Sequence, residues 1–142
     1  MTELNVPLLS KVLEHVTAHP EEWDQANWAV RRDCGTTYCV AGWTVTMTGH
    51  DVDWHEYDPN DNDVLPRGVH RSVYADVHAF GGYADTSGGC RAYIPDVAQF
   101  ELGLSYEQRK RLFKGSNDLD TLWQLADEFS HGEIKQLSEV AA

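Results

Sequence analysis

The run Tyr38–Met47, YCVAGWTVTM, places Tyr38, Val40, Ala41, Trp43, Val45 and Met47 in nearly every direction around a helical axis. A helix that is apolar all round has no face to give to water, so the rest of the chain has to cover it. The pattern predicts this helix over residues 37–48, capped by Thr36 or Thr37 and ended by Gly49 in a left-handed conformation. Cys39 then falls one turn in, as a small core residue beside Ala41 and Gly42 where another helix can approach closely.

Covering elements are legible on both sides. In NVPLLSKVLEHVTAH, Leu9, Val12, Leu13 and Val16 share one helical stripe, with Asn5 as cap and Pro7 in the first turn. Pro20 stops that helix and opens a short second one in HPEEWDQANW, with Glu21, Glu22 and Asp24 at its electropositive start and Trp23 and Trp28 docking it on the first. Further on, GLSYEQRKRLF carries Ser105 and Gln108 at capping-box spacing, with Gly115 after the last turn. NDLDTLWQLADEFSHG then sets Leu119, Leu122, Leu125, Ala126 and Phe129 at helical spacing between a capping Asn117 and a terminating Gly132.

At 142 residues and 42% hydrophobic, the chain can bury such a core as one domain without disulfides or metals. The expected fold is mainly α: a single compact domain of four or five helices around the buried 37–48 helix. Its parts are a helical front (5–49), a long irregular acidic middle (50–96) that can include a short hairpin, and a helical back (97–135). The middle is Gly-rich and weakly periodic apart from a short helix expected over residues 69–79. Long irregular stretches in compact domains are commonly functional loops or disordered, which makes this one the first place to look for recognition.

Charge narrows the functional classes. The net charge is −12, and residues 51–98, with nine acids against three bases, supply half of that excess. Direct binding to nucleic acid or anionic lipid needs clustered Lys and Arg, so neither is expected. An acidic surface favours solubility, cations or basic protein partners. No apolar run approaches the roughly 20 residues a spanning helix needs. Three cysteines, Cys34, Cys39 and Cys90, without a secretory leader in the sequence, point to a reducing cytoplasm.

Candidate chemistry is sparse. Cys34 and Cys39 lie at a tolerated zinc-ligand spacing, with His50 or His55 and Cys90 as the remaining candidates, but Cys90 and a histidine are not paired at a recognisable spacing. A redox role would need an exposed, activated Cys39 thiolate, and a disulfide from Cys34 to Cys39 or Cys90 is a further alternative. Asp58, Asn60 and Asn62 open like a calcium loop, which fails at Asp63, where Gly is required, and at Val69, where a bidentate Glu is required. His55 beside Glu56, and His70 with His78, are the nearest approach to an acid–base set; no HExxH or GxSxG motif occurs. The expectation is therefore no enzyme, no cofactor and no metal site.

HPEEWDQANW, CGTTYCVAGW and LGLSYEQRKRLF, in that order, resemble small proteins of actinobacterial phages and related bacterial genomes that share a CGTxxCxAGW core and an LGL segment. The resemblance covers residues 7–49 and 97–132. It implies a phage or phage-derived origin and supplies no catalytic residues. Together these readings give a non-enzymatic protein of the bacterial host cytoplasm that binds a host protein with a basic surface. The expected contact residues are Asp53, Trp54, Glu56, Tyr57, Asp58, Asp61, Asp63, Tyr74 and Tyr83, since aromatics within charged rims are common interface anchors. The alternatives are a zinc module built on Cys34, Cys39, His50 and Cys90, and mimicry of DNA by rows of acids.

Overall fold

The computed structural model describes residues 3–32, 35–52, 54, 70–72, 74–76 and 91–134. Among them are five α-helices, a single 3-10 turn and two small antiparallel sheets, so the helical expectation holds and strands add to it.

Helix α1 (Val6–Ala18) forms on the predicted stripe, with Leu9, Val12, Leu13 and Val16 fully buried. Asn5 caps it by accepting from Leu8 N at 3.2 Å, and its own N–H donates to Leu102 O at 2.7 Å. The expected second helix shortens to the 3-10 turn η1 (Pro20–Glu22). Trp23 leaves it to form a bridge with Tyr38, while the Trp28 ring packs edge-on against Tyr93 and Phe113, at 6.2 and 6.1 Å between centroids. Trp28 is thus engaged with the back of the chain, which local spacing does not show.

Strands β1 (Ala29–Arg32) and β2 (Gly35–Tyr38) pair antiparallel, with Val30 opposite Thr37 and Arg31 opposite Thr36. This corrects the start of the central helix. Thr36 and Thr37 satisfy their backbone in a ladder that suits β-branched residues instead of capping a turn. Helix α2 therefore runs only Val40–Met47, with Cys39 at its N-cap and not one turn inside. It is the buried helix expected: Val40, Ala41, Gly42, Thr44 and Val45 are enclosed. What approaches Gly42 closely is the backbone before β1, not a helix, since a Cβ there would meet Trp28 O at 2.1 Å.

The middle stretch contributes β3 (Asp51–Val52), β4 (His70–Ser72), β5 (Tyr74–Asp76) and β6 (Arg91–Tyr93). β4 joins β1 to give the order β2-β1-β4, and β5 lies between β3 and β6 in the second sheet. Within the helix expected over 69–79, residues 70–72 and 74–76 form β4 and β5 instead, because pairing partners distant in sequence satisfy these backbones, and residues 69, 73 and 77–79 lie outside the described residues. Tyr93 then leads into α3 (Ile94–Leu102), a helix that begins inside the stretch expected to be irregular. Its Pro95 in the first turn and Gly103 after the last were the signals available.

Helix α4 (Tyr106–Leu112) carries the full capping box expected of Ser105 and Gln108. Helix α5 (Leu119–Phe129) is capped by Asp118, which accepts from Thr121 N at 2.8 Å, while Asn117 instead donates to the carbonyls of Arg111 and Leu112. α2 packs most extensively on α3 and also on α1, and the buried side chains of all five helices join in one cluster.

Candidate functional site

Strand alternation creates an aromatic surface. Ala75 of β5 is fully buried, so its neighbour Tyr74 takes the opposite face of the sheet. Register sets Tyr74 directly across from Tyr93 of β6, with ring centroids 6.1 Å apart. Tyr93 is 37% exposed and continues to Trp28. This gives a run Tyr74, Tyr93, Trp28 and Phe113 in edge-to-face contact, a favourable arrangement for ring quadrupoles.

A second aromatic run starts inside and ends at β1. The Trp43 ring lies 4.2 Å from His15 and 4.8 Å from Tyr38, and Tyr38 reaches Trp54 at 6.5 Å. The Arg31 guanidinium stands 4.8 Å over the centre of the Trp54 ring, a cation–π contact. Burial raises the Tyr38 hydroxyl above its ordinary value, and the nearby Arg31 charge partly opposes this.

Of the residues expected from the sequence to meet a partner, Trp54 and Tyr74 are placed, both half-buried and both in these aromatic runs. Asp53, Glu56, Tyr57, Asp58, Asp61, Asp63 and Tyr83 lie outside the described residues. Tyr93, Trp28 and Arg31 were missed. Tyr93 stands beside Tyr74 only through the β5–β6 register, which no local pattern announces.

The candidate metal ligands fare differently. Cys39 is fully buried, its Sγ directed at Trp28 O at 3.8 Å, and burial pushes its thiol up to about 12. A protonated interior thiol of this kind is inert as a nucleophile. His50 Nε2 meets Glu101 Oε1 at 3.2 Å, joining the end of α2 to the end of α3. Cys34 and Cys90 lie outside the described residues, as does the acidic stretch once compared with a calcium loop. His70 sits in β4 and not on a helix, and His78 lies outside the described residues. Among the described residues, the group of cation-ligating side chains that comes together is His19, Glu21 and Glu22, and it contains neither Cys39 nor His50.

Gln25, although it makes no claim to chemistry, organises the neighbourhood. Buried between η1 and β1, it accepts from Trp23 Nε1 and Val40 N and donates to the carbonyls of Leu112 and Lys114. It thereby ties the start of α2 to the end of α4. Among the described residues, no helix is long and apolar enough to cross a membrane. No family model, curated protein or solved structure matches the chain.

Proposed function

We propose that this is a non-enzymatic binding protein of phage or phage-derived origin, acting in the bacterial cytoplasm on a host protein with a basic surface. The observation that carries the reading is the outward Tyr74–Tyr93 pair backed by Trp28, set in a chain of net charge −12. Rigid aromatic side chains give large contact area at low entropic cost, and a surrounding acidic field steers a basic partner toward them. The phage origin is supported by the CGTxxCxAGW and LGL segments of the sequence. The zinc reading through Cys34 and Cys39 draws no comparable support, because Cys39 is enclosed in the core.

Point substitutions are the suitable perturbation, because deleting residues 51–93 removes β3 to β6 and leaves β1 without β4. Wild type and the Tyr74→Ala/Tyr93→Ala pair are used to capture proteins from host lysate, with Tyr106→Ala, 58% exposed on α4, as the control. A partner with a basic surface is expected, held less tightly as salt rises. Truncating a central aromatic anchor costs about 2 kcal/mol or more, roughly a 30-fold loss of affinity. Equal retention of every partner by wild type and the double variant would overturn the proposal.

A further inference from the structure

The end of α1 and the turn after it assemble three ligating groups that the binding surface does not use. His19 Nδ1 stands 3.6 Å from Glu21 Oε1 and 3.9 Å from Glu22 Oε2, and the ligating atoms of the three residues all lie within 4.8 Å of one another. These separations are too long for hydrogen bonds. The two His19 distances are close to the edge of a tetrahedron built on metal bonds of about 2.0 to 2.2 Å, an edge of about 3.4 Å, and the third pair lies within 4.8 Å.

The local sequence explains the convergence. His19 ends α1, and Pro20 turns the chain into a 3-10 segment closed by Glu22 N donating to His19 O at 2.9 Å. Three residues per turn bring positions 19 and 22 onto one side. Glu22 is then held at both ends. Its carbonyl accepts from Trp43 Nε1 at 3.0 Å, and its Oε1 faces His15 Nε2 at 3.2 Å, leaving Oε2 toward His19. The His15 ring itself packs at a tilt against both Trp43 and His19, with centroids at 4.2 and 4.8 Å. The carboxylate is therefore oriented before any ion arrives, as buttressed metal ligands usually are.

Charge and chemistry select the ligand. Among the described residues, the ion-pair partners of Glu21 and Glu22 are His15 and His19, with no Lys or Arg within 4.0 Å, so two adjacent acids face each other without a fixed cation. One imidazole nitrogen with two carboxylate oxygens suits a borderline divalent ion, whereas magnesium and calcium take oxygen ligands throughout. The three side chains are 48%, 67% and 39% exposed, so water completes the coordination and the ion exchanges freely. We propose that His19, Glu21 and Glu22, with His15 as positioning residue, form an exchangeable site for a divalent transition cation of the zinc class.

The test is a zinc chloride titration of the full-length, nitrogen-15-labelled chain, followed through the imidazole nitrogens. The His19 signal is expected to shift and saturate with one ion. His19→Ala, at an exposed position that leaves the core intact, binds at least tenfold more weakly at this site. His15→Ala weakens it about 10- to 100-fold, the usual effect of losing a ligand's supporting hydrogen bond. His15→Gln, whose amide can still donate to Glu22 Oε1, recovers most of that loss, which a purely structural role would not do. Zinc held by thiols elsewhere would appear as equal affinity in wild type and His19→Ala, and that result overturns the proposal. An unmoved His19 signal at millimolar zinc overturns it too, as does an equal response to magnesium.

Discussion

Replacing Gly42 by alanine tests the packing that underlies the whole front of the molecule. A Cβ at this position would lie 2.1 Å from Trp28 O, 2.8 Å from Tyr38 Cβ and 3.1 Å from Tyr38 Cδ1. Ordinary close carbon–oxygen contacts begin at about 3.3 Å, so the shortfall against Trp28 O exceeds 1 Å. The obstacle is backbone, and relief requires moving the segment that leads into β1, with the Trp28 contacts to Tyr93 and Phe113. Overpacking costs about 1 to 3 kcal/mol, with the upper end or beyond expected against backbone. Better helix propensity returns about 1 kcal/mol of that. The net loss is about 2 kcal/mol or more, which at a urea slope of about 2 kcal/mol/M lowers the midpoint by roughly 1 M.

Urea unfolding followed by far-ultraviolet circular dichroism measures that shift, and amide spectra locate it. Residues 27–32 should move in Gly42→Ala. Gly49→Ala is the contrast: its φ of +87° is strained for alanine, yet apart from its chain neighbours no atom would lie within 4 Å of the added Cβ, so the amides of 27–32 stay in place. A midpoint unchanged or raised in Gly42→Ala would refute the close approach of Trp28 to α2.

Two further outcomes follow from the buried polar groups. Burial pushes the Cys39 thiol from its ordinary 9.0 up to about 12, so above pH 9 the unfolded chain releases a proton that the folded chain keeps. Its contribution to stability is therefore full below pH 9 and declines by about 1.4 kcal/mol per pH unit between 9 and 12. Urea midpoints at pH 8 and pH 10 should fall further for wild type than for Cys39→Ala, and mass mapping should show Cys39 protected from alkylation in the native protein. Gln25→Leu orphans Val40 N and Trp23 Nε1, while Leu112 O keeps Asn117 as donor, so a loss of about 2 to 4 kcal/mol is expected. A change under 0.5 kcal/mol in urea unfolding would contradict the bridging role of Gln25.

The two ends of the chain were readable because their signals are local. The stripe of α1, the Ser105–Gln108 box and the leucine spacing of α5 each need only residues within two turns of one another. Their boundaries were less clear: Asn117 and Asp118 are both able caps, and the start of α5 went to Asp118 because Asn117 is occupied with the carbonyls that end α4. No motif in the sequence singled out His15 and His19. Their meeting with Glu22 depends on the 3-10 turn that replaced the expected helix.

By itself the sequence determined that a nearly uncharged segment around Trp43 must be enclosed, that amphipathic helices at both ends would do the enclosing, and that the surface would be strongly acidic. These follow from apolar area, helical period and a count of charges, none of which needs a partner distant along the chain. Tertiary structure alone decided that Thr36 and Thr37 pair with β1, that residues 70–72 and 74–76 are strands, and that Tyr74 stands opposite Tyr93. A strand's backbone is satisfied only by another strand, so its existence and its outward face are settled jointly by segments far apart in sequence. For that reason the aromatic surface emerged only when the sheets were in place.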